Sequence, residues 1–136
     1  MRLIVAILIL LASLQTEPPQ TIFVSPDTAA DWRPGEAHSF FISAYATSPT
    51  TATVTLDLSP SLVAESASGG CTVLSARLVR CVAALDYGDP FSAAIRVRAQ
   101  LGPEPFAIAM ATMGGAQSRV VVRVAHRALW LPLVRA

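Results

Sequence analysis

From Cys71 to Cys81 the chain reads Cys-Thr-Val-Leu-Ser-Ala-Arg-Leu-Val-Arg-Cys, a stretch with the pattern of a two-stranded ribbon and a cysteine at each end. Folding it at Ala76 sets Leu74 opposite Leu78, Val73 opposite Val79 and Cys71 opposite Cys81, so a disulfide would join directly facing positions. The chain has only 2 cysteines, which leaves a single intrachain pairing. Closing so short a loop stabilises by about 2 to 3 kcal/mol on the chain-entropy account. A redox or metal-binding thiol pair needs closer spacing or accompanying imidazoles. Neither is present, so no metal and no cofactor is expected.

Outward from the ribbon, short β-rich runs alternate with Pro, Gly, Ser and Asp clusters about every ten residues, the rhythm of a sandwich or barrel. Thr21 to Ser25 is the first run. A turn region from Asp27 to Glu36, containing Trp32-Arg33-Pro34-Gly35, leads into His38 to Thr47, where Phe40, Ile42, Ala44 and Ala46 share one face. Thr51 to Leu58 follows, with Val54, Leu56 and Leu58 facing together, and then the short Leu62 to Glu65. Beyond the ribbon, Asp86-Tyr87-Gly88-Asp89-Pro90 is a strong turn signal. Phe91 to Ala99, Phe106 to Met113 and Arg119 to His126 complete the set, the last with Val120, Val122 and Val124 inward and Arg119 and Arg123 outward. No long helical period competes. The expected fold is an all-β, immunoglobulin-like antiparallel β-sandwich of about seven or eight strands with one hairpin disulfide.

The two termini read differently from this middle. Met1 and Arg2 precede the uninterrupted apolar run Leu3 to Leu14 (LIVAILILLASL) and the polar, Pro-rich QTEPPQ, the plan of a signal peptide over residues 1–16. The bland alternative is a buried strand or an uncleaved anchor. A sandwich domain is then expected over residues 17–127 and an apolar tail over 128–136, containing Leu129-Trp130-Leu131-Pro132-Leu133-Val134. No run beyond the leader approaches the roughly 20 apolar residues of a bilayer crossing, so no stable membrane span is expected after its removal. Export to an oxidising compartment favours the disulfide.

Charge is sparse, with 10 basic residues, all of them Arg, against 9 acidic ones. Such a balance gives no bulk attraction to nucleic acid, and no nucleic-acid partner is expected. Asn is absent, which excludes N-linked glycosylation. His38 and His126 are the only imidazoles, and each sits at a strand end as a half-exposed edge residue would. No Gly-x-Ser-x-Gly elbow, His-Glu-x-x-His or phosphate-binding loop occurs. Asp86 and Asp89 offer two carboxylates where calcium takes six to eight oxygens, so a plain turn is expected there. No catalytic residues are assigned. A candidate interaction surface comprises Phe41 and Tyr45, with Trp32 and Trp130 as further aromatic pieces; Ala107, Ala109 and Ala111 on a later strand would extend a flat apolar exterior. Trp32, Tyr45 and Tyr87 are the pieces available for a carbohydrate-binding platform.

One family carries much of this pattern. Gly70-Cys71, Val79-x-Cys81 and Leu85-x-x-Gly88 resemble, in order and spacing, a series found in bacterial domains of the DUF11 type, immunoglobulin-like modules of secreted and cell-surface proteins. Ser39 to Thr55 (SFFISAYATSPTTATVT) and Leu58 to Glu65 (LSPSLVAE) resemble the family's earlier strands, and the similarity spans residues 36–125. Ala46, Ser48 and Ser61 stand where such domains usually carry Asn or Gly. The resemblance implies a non-catalytic structural or adhesion-like module with a protein or cell-envelope partner; the alternative is a carbohydrate- or small-ligand-binding module. The LPLV-type tail resembles endings of some exported bacterial proteins, and reads either as an attachment signal or as a terminal strand covering a sheet edge.

Overall fold

A computed structural model describes residues 20–125. The signal peptide expected over 1–16, the whole of the tail expected over 128–136, including Trp130, and His126 lie outside the described residues. Nine strands run in the order β1 (Gln20–Pro26), β2 (Ala37–Ala46), β3 (Thr50–Leu58), β4 (Leu62–Ala67), β5 (Cys71–Ser75), β6 (Leu78–Leu85), β7 (Phe91–Ala99), β8 (Phe106–Met113) and β9 (Ala116–Arg123). They form two antiparallel sheets, one ordered β1-β2-β7-β4 and the other β5-β6-β3-β8-β9. The expected sandwich is therefore present, with one or two strands more than the seven or eight anticipated. No helix occurs among the described residues.

Period-two alternation decides which side chains meet between the sheets. Phe40, Ile42, Ala44 and Ala46 of β2 are buried, as are Val54, Leu56 and Leu58 of β3 and Ala93, Ile95, Val97 and Ala99 of β7. Strand β8 departs from the expectation. Its buried residues are Ala107, Ala109, Ala111 and Met113, so the alanines are no exterior patch. The physical reason is space: β1 packs against β8 as well as β9, and only small side chains fit where the two sheets draw that close. The larger Phe106, Ile108 and Met110 consequently take the outer side.

The hairpin forms as read, with Cys71 facing Cys81 and Val73 facing Val79. Its disulfide joins atoms within one sheet, the Cα atoms 3.9 Å apart. Cys81 points into the core beside Val79 and Ala83, so the bridge reaches from the edge strand β5 to the packed interior. The expected pairing of Leu74 with Leu78 does not occur. Ser75 faces Leu78 and Leu74 is bulged out of the ladder, because the turn takes two residues, Ala76 and Arg77. A second bulge, at Glu65 in edge strand β4, re-aims that side chain outward as bulges do.

The crossing from β4 to β5 turns at Gly69 and Gly70, both with positive φ, 68° and 81°. A Cβ at Gly69 would lie 2.7 Å from the Ser92 carbonyl oxygen, so neither the conformation nor the space admits another residue. Every positive φ among the described residues belongs to glycine. Ala46, Ser48 and Ser61 therefore adopt no left-handed conformation. Ser61 is instead buried, its hydroxyl donating to the Glu104 carbonyl at 3.3 Å.

Candidate interaction face

The same alternation that buries Ile22 and Val24 of β1 turns Thr21, Phe23 and Ser25 outward, and the burial of Phe40 to Ala46 in β2 turns Phe41, Ser43 and Tyr45 to the same side. Register then fixes their neighbours: Thr21 faces Tyr45, Phe23 faces Ser43, and Ser25 faces Phe41. On the other side of β2, Phe41 faces Ala94 and Ser43 faces Ser92 of β7. Phe23 is thus diagonal to both Phe41 and Tyr45, steps of about 7 to 8 Å between Cα atoms. The rings form a zigzag row along β1 and β2, exposed by 55% at Phe23, 47% at Phe41 and 36% at Tyr45. Beside Phe41 lies a shallow trough of about 380 Å³, bordered by Ser43, Ser92 and Ala94 with Ser68 at its margin.

No outward position on β1 or on β2 from Ser39 to Tyr45 carries a charge. Ionic groups border this neutral patch on two sides: the Asp27 carboxylate just beyond β1 accepts the Ser39 N–H at 2.9 Å, and those on β7 and β4 are engaged with one another. Arg98 Nε donates to Glu65 Oε2 at 2.9 Å and a terminal nitrogen donates to Oε1 at 3.3 Å, while its other terminal nitrogen donates to the Gly35 carbonyl at 2.6 Å. Arg96 Nε lies 3.6 Å from the same carboxylate. The bulge at Glu65 is what brings one acid between two arginines. Half of this sheet's exterior is therefore an ion-paired network, and the other half is neutral and aromatic.

Phe41 and Tyr45, singled out in the sequence, fall together on this face. Trp32 does not. It is fully buried at the end of the sandwich, where its backbone N–H donates to the Arg123 carbonyl at 2.9 Å and its carbonyl accepts from the Ala125 N–H at 2.7 Å. Its indole N–H donates to the Thr28 carbonyl at 3.3 Å, which satisfies the polar edge of an otherwise apolar ring. Tyr87 is exposed in the Asp86–Pro90 turn between β6 and β7 and belongs to neither strand of the row. Phe23 was not singled out, although the alternation Thr21-Ile22-Phe23-Val24-Ser25 contains the signal once Ile22 and Val24 are known to be buried.

His38 is more enclosed than an edge residue, its side chain only 15% exposed. Its ring stacks on Trp32, with centroids 4.2 Å apart and planes 8° from parallel. Nδ1 sits 3.0 Å from Asp27 Oδ1 and Nε2 sits 3.4 Å from Glu36 Oε1. Both ring nitrogens are thus occupied, on opposite edges of a stacked ring, which is a structural arrangement and leaves no lone pair aimed at a substrate. The Glu36 carboxyl is held below its ordinary value of 4.5, chiefly because it accepts the Arg33 backbone N–H and also because it bonds His38. Asp86 and Asp89 flank an open hollow of about 520 Å³ that is also lined by Pro49, Ala84 and Leu85. Among the described residues, no cluster of three or more His, Cys, Asp or Glu side chains is arranged to hold a metal ion.

No family model matches this chain, and no curated protein matches it. Among solved structures it is similar to the chitin-binding domain of a hyperthermophilic chitinase from Pyrococcus furiosus, with TM-score 0.48 and 14% identity over 76% of this chain and 98% of that one. It is similar also to a β-glucosidase from Listeria innocua, with TM-score 0.47 and 10% identity over 77% of this chain but 16% of that one. Domains 4 and 5 of the S-layer protein SbsC give TM-score 0.41 and 11% identity over 80% of this chain and 54% of that one. At these scores the likenesses carry no argument about ligand or activity.

Proposed function

We propose that this chain is a non-catalytic, secreted or cell-surface interaction module of the DUF11 type, which docks to the cell envelope through the outer face of β1 and β2. One observation carries the reading: Phe23, Phe41 and Tyr45 stand exposed on one neutral face, where a sandwich without a docking role gains solubility from charge. The disulfide is in keeping with an oxidising, extracytoplasmic setting. The occupied nitrogens of His38 speak against its use as a base.

Antibody labelling of intact cells, with and without permeabilisation, tests the location, and retention of the purified protein by isolated cell envelopes tests the face. Labelling without permeabilisation is expected, and the variant carrying Phe23→Ser, Phe41→Ser and Tyr45→Ser should lose most of its retention. Labelling that requires permeabilisation would overturn the location. Equal retention of wild type and variant would overturn the face.

A further inference from the structure

We infer that the ligand of the β1–β2 face is a neutral polysaccharide, its sugar rings laid over Phe41, Phe23 and Tyr45 with hydroxyls directed to the serines around them. The inference rests on the docking face proposed above and names its occupant. Three features of the face select this chemistry.

The first is charge. Nucleic acids, acidic peptides and anionic lipid surfaces are bound through unpaired cationic groups, and the outward positions from Thr21 to Ser25 and from Ser39 to Tyr45 hold none. The charged groups that border the face are already engaged: Arg98 and Arg96 share the Glu65 carboxylate, and the Asp27 carboxylate is held by the Ser39 N–H and His38. An uncharged ligand is the one this face meets without stranding an ion on either side.

The second is the interleaving of rings and hydroxyls. Phe23 lies opposite Ser43, Phe41 lies between Ser25 and Ala94, and Tyr45 lies opposite Thr21, so each ring is flanked by small side chains, most of them hydroxylic. A pyranose has that same dual character, with C–H groups that pack on an aromatic face and equatorial hydroxyls that seek donors and acceptors at its rim. Ser43 and Ser92 face each other along the trough beside Phe41, within reach of a sugar stacked on that ring. The span from Phe41 to Tyr45, four residues of one strand or about 13 Å, suits an extended polymer better than a single small molecule.

The third is area. A large aromatic side chain buries about 150 to 250 Å² when covered, and the three rings here are roughly half exposed. They offer on the order of 300 Å² of apolar surface, whereas a stable protein interface buries about 800 Å² on each partner, of which roughly 450 Å² is apolar. A second copy of this chain would gain too little from this face. Stacking on successive sugars of a polymer requires no such continuous area.

The test uses the full chain after export, incubated with insoluble cellulose, chitin, β-1,3-glucan and mannan, with pectin as an anionic control, followed by measurement of the bound fraction. At least one neutral polymer is expected to retain the wild type in preference to pectin. Phe41→Ser, Phe23→Ser and Tyr45→Ser should each weaken retention about fivefold, the worth of one aromatic contact, while Tyr45→Phe keeps most of it. The melting temperature of the triple variant checks that these exposed positions do not act through folding. Retention by none of the neutral polymers, preference for pectin, or equal retention of the triple variant would overturn the inference. Sedimentation showing a dimer that the triple variant abolishes would overturn it in favour of self-association. If polysaccharides fail but cell envelopes still retain the wild type over the triple variant, the glycan assignment falls and the docking face stands. If envelopes also make no distinction, both fall.

Discussion

Along the β1/β9 flank the two sheets are joined by Trp32, whose main chain bonds to Arg123 and Ala125 and whose ring fills the end of the core, whereas the β4/β5 flank is closed by the stapled hairpin. There the Ala64 N–H of β4 donates to the Ala76 carbonyl at the hairpin turn, 2.7 Å away, and Leu58 donates to Arg77 at 2.9 Å. One flank depends on a buried side chain recruited from a loop. The other depends on a main-chain bond to a hairpin that is held shut by a covalent bond between residues 10 apart. A local covalent closure limits how far an edge ribbon can open. A long-range apolar closure adds packing to the core itself, and should be the more sensitive of the two to substitution.

The largest expected effect breaks the first flank. Trp32→Ala removes a fully buried indole and should cost about 3 to 5 kcal/mol, read from denaturant unfolding followed by circular dichroism. A cost near zero would mean that the loop contributes nothing to closing the sandwich. Next comes the second flank: replacing both Cys71 and Cys81 with Ser should cost about 2 to 3 kcal/mol while the strand signal persists at low denaturant. If the staple proves more costly than Trp32, the ranking of the two flanks is reversed.

The smallest effect sharpens the Trp32 flank. Glu36 titrates below its ordinary value of 4.5 when folded, chiefly because its carboxylate accepts the Arg33 N–H and also because it bonds the His38 ring. A lowered folded pKa contributes stability that is present above the unfolded value and lost as pH falls through the folded one. Wild type should therefore lose slightly more stability than Glu36→Gln as pH drops from 6 towards 3, about the range spanning carboxylate titration. Parallel decline of the two proteins would show that the carboxylate does not support the loop around Trp32.

The contrast between the flanks also explains what could be read in advance. The hairpin was legible because its partners are close in sequence and its two cysteines admit one pairing; only the bulge at Leu74, a matter of turn size, escaped. Strand faces in β2 and β3 were legible because one side of each is distinctly larger and more apolar. In β8 both sides are apolar, and the choice fell to the volume left by β1, which no local pattern records. Trp32 sits among Arg, Pro and Gly and reads as a surface turn. Its burial depends on Arg123 to Ala125, at the opposite end of the described chain. The neutral face was half legible, since Phe41 and Tyr45 share a strand with an unmistakable inner side, while Phe23 needed the pairing of β1 with β2 to join them.

Gln20 lies beside Gly114, the Val24 N–H donates to the Ser118 hydroxyl, and Trp32 bridges to Val124, so β1 and the segment after it run in the same direction as β9. Tension applied at Gln20 and Ala125 would pull these neighbours past one another lengthwise. Lengthwise sliding loads the β1–β2 ladder and the β1–β9 contacts together, where peeling would break them one at a time. The hairpin and its sulfur bridge lie on the far side, off the line of force. Under such a pull the load would fall on β1 and β9, the first and last of the described strands, and not on the edge that carries the covalent bond.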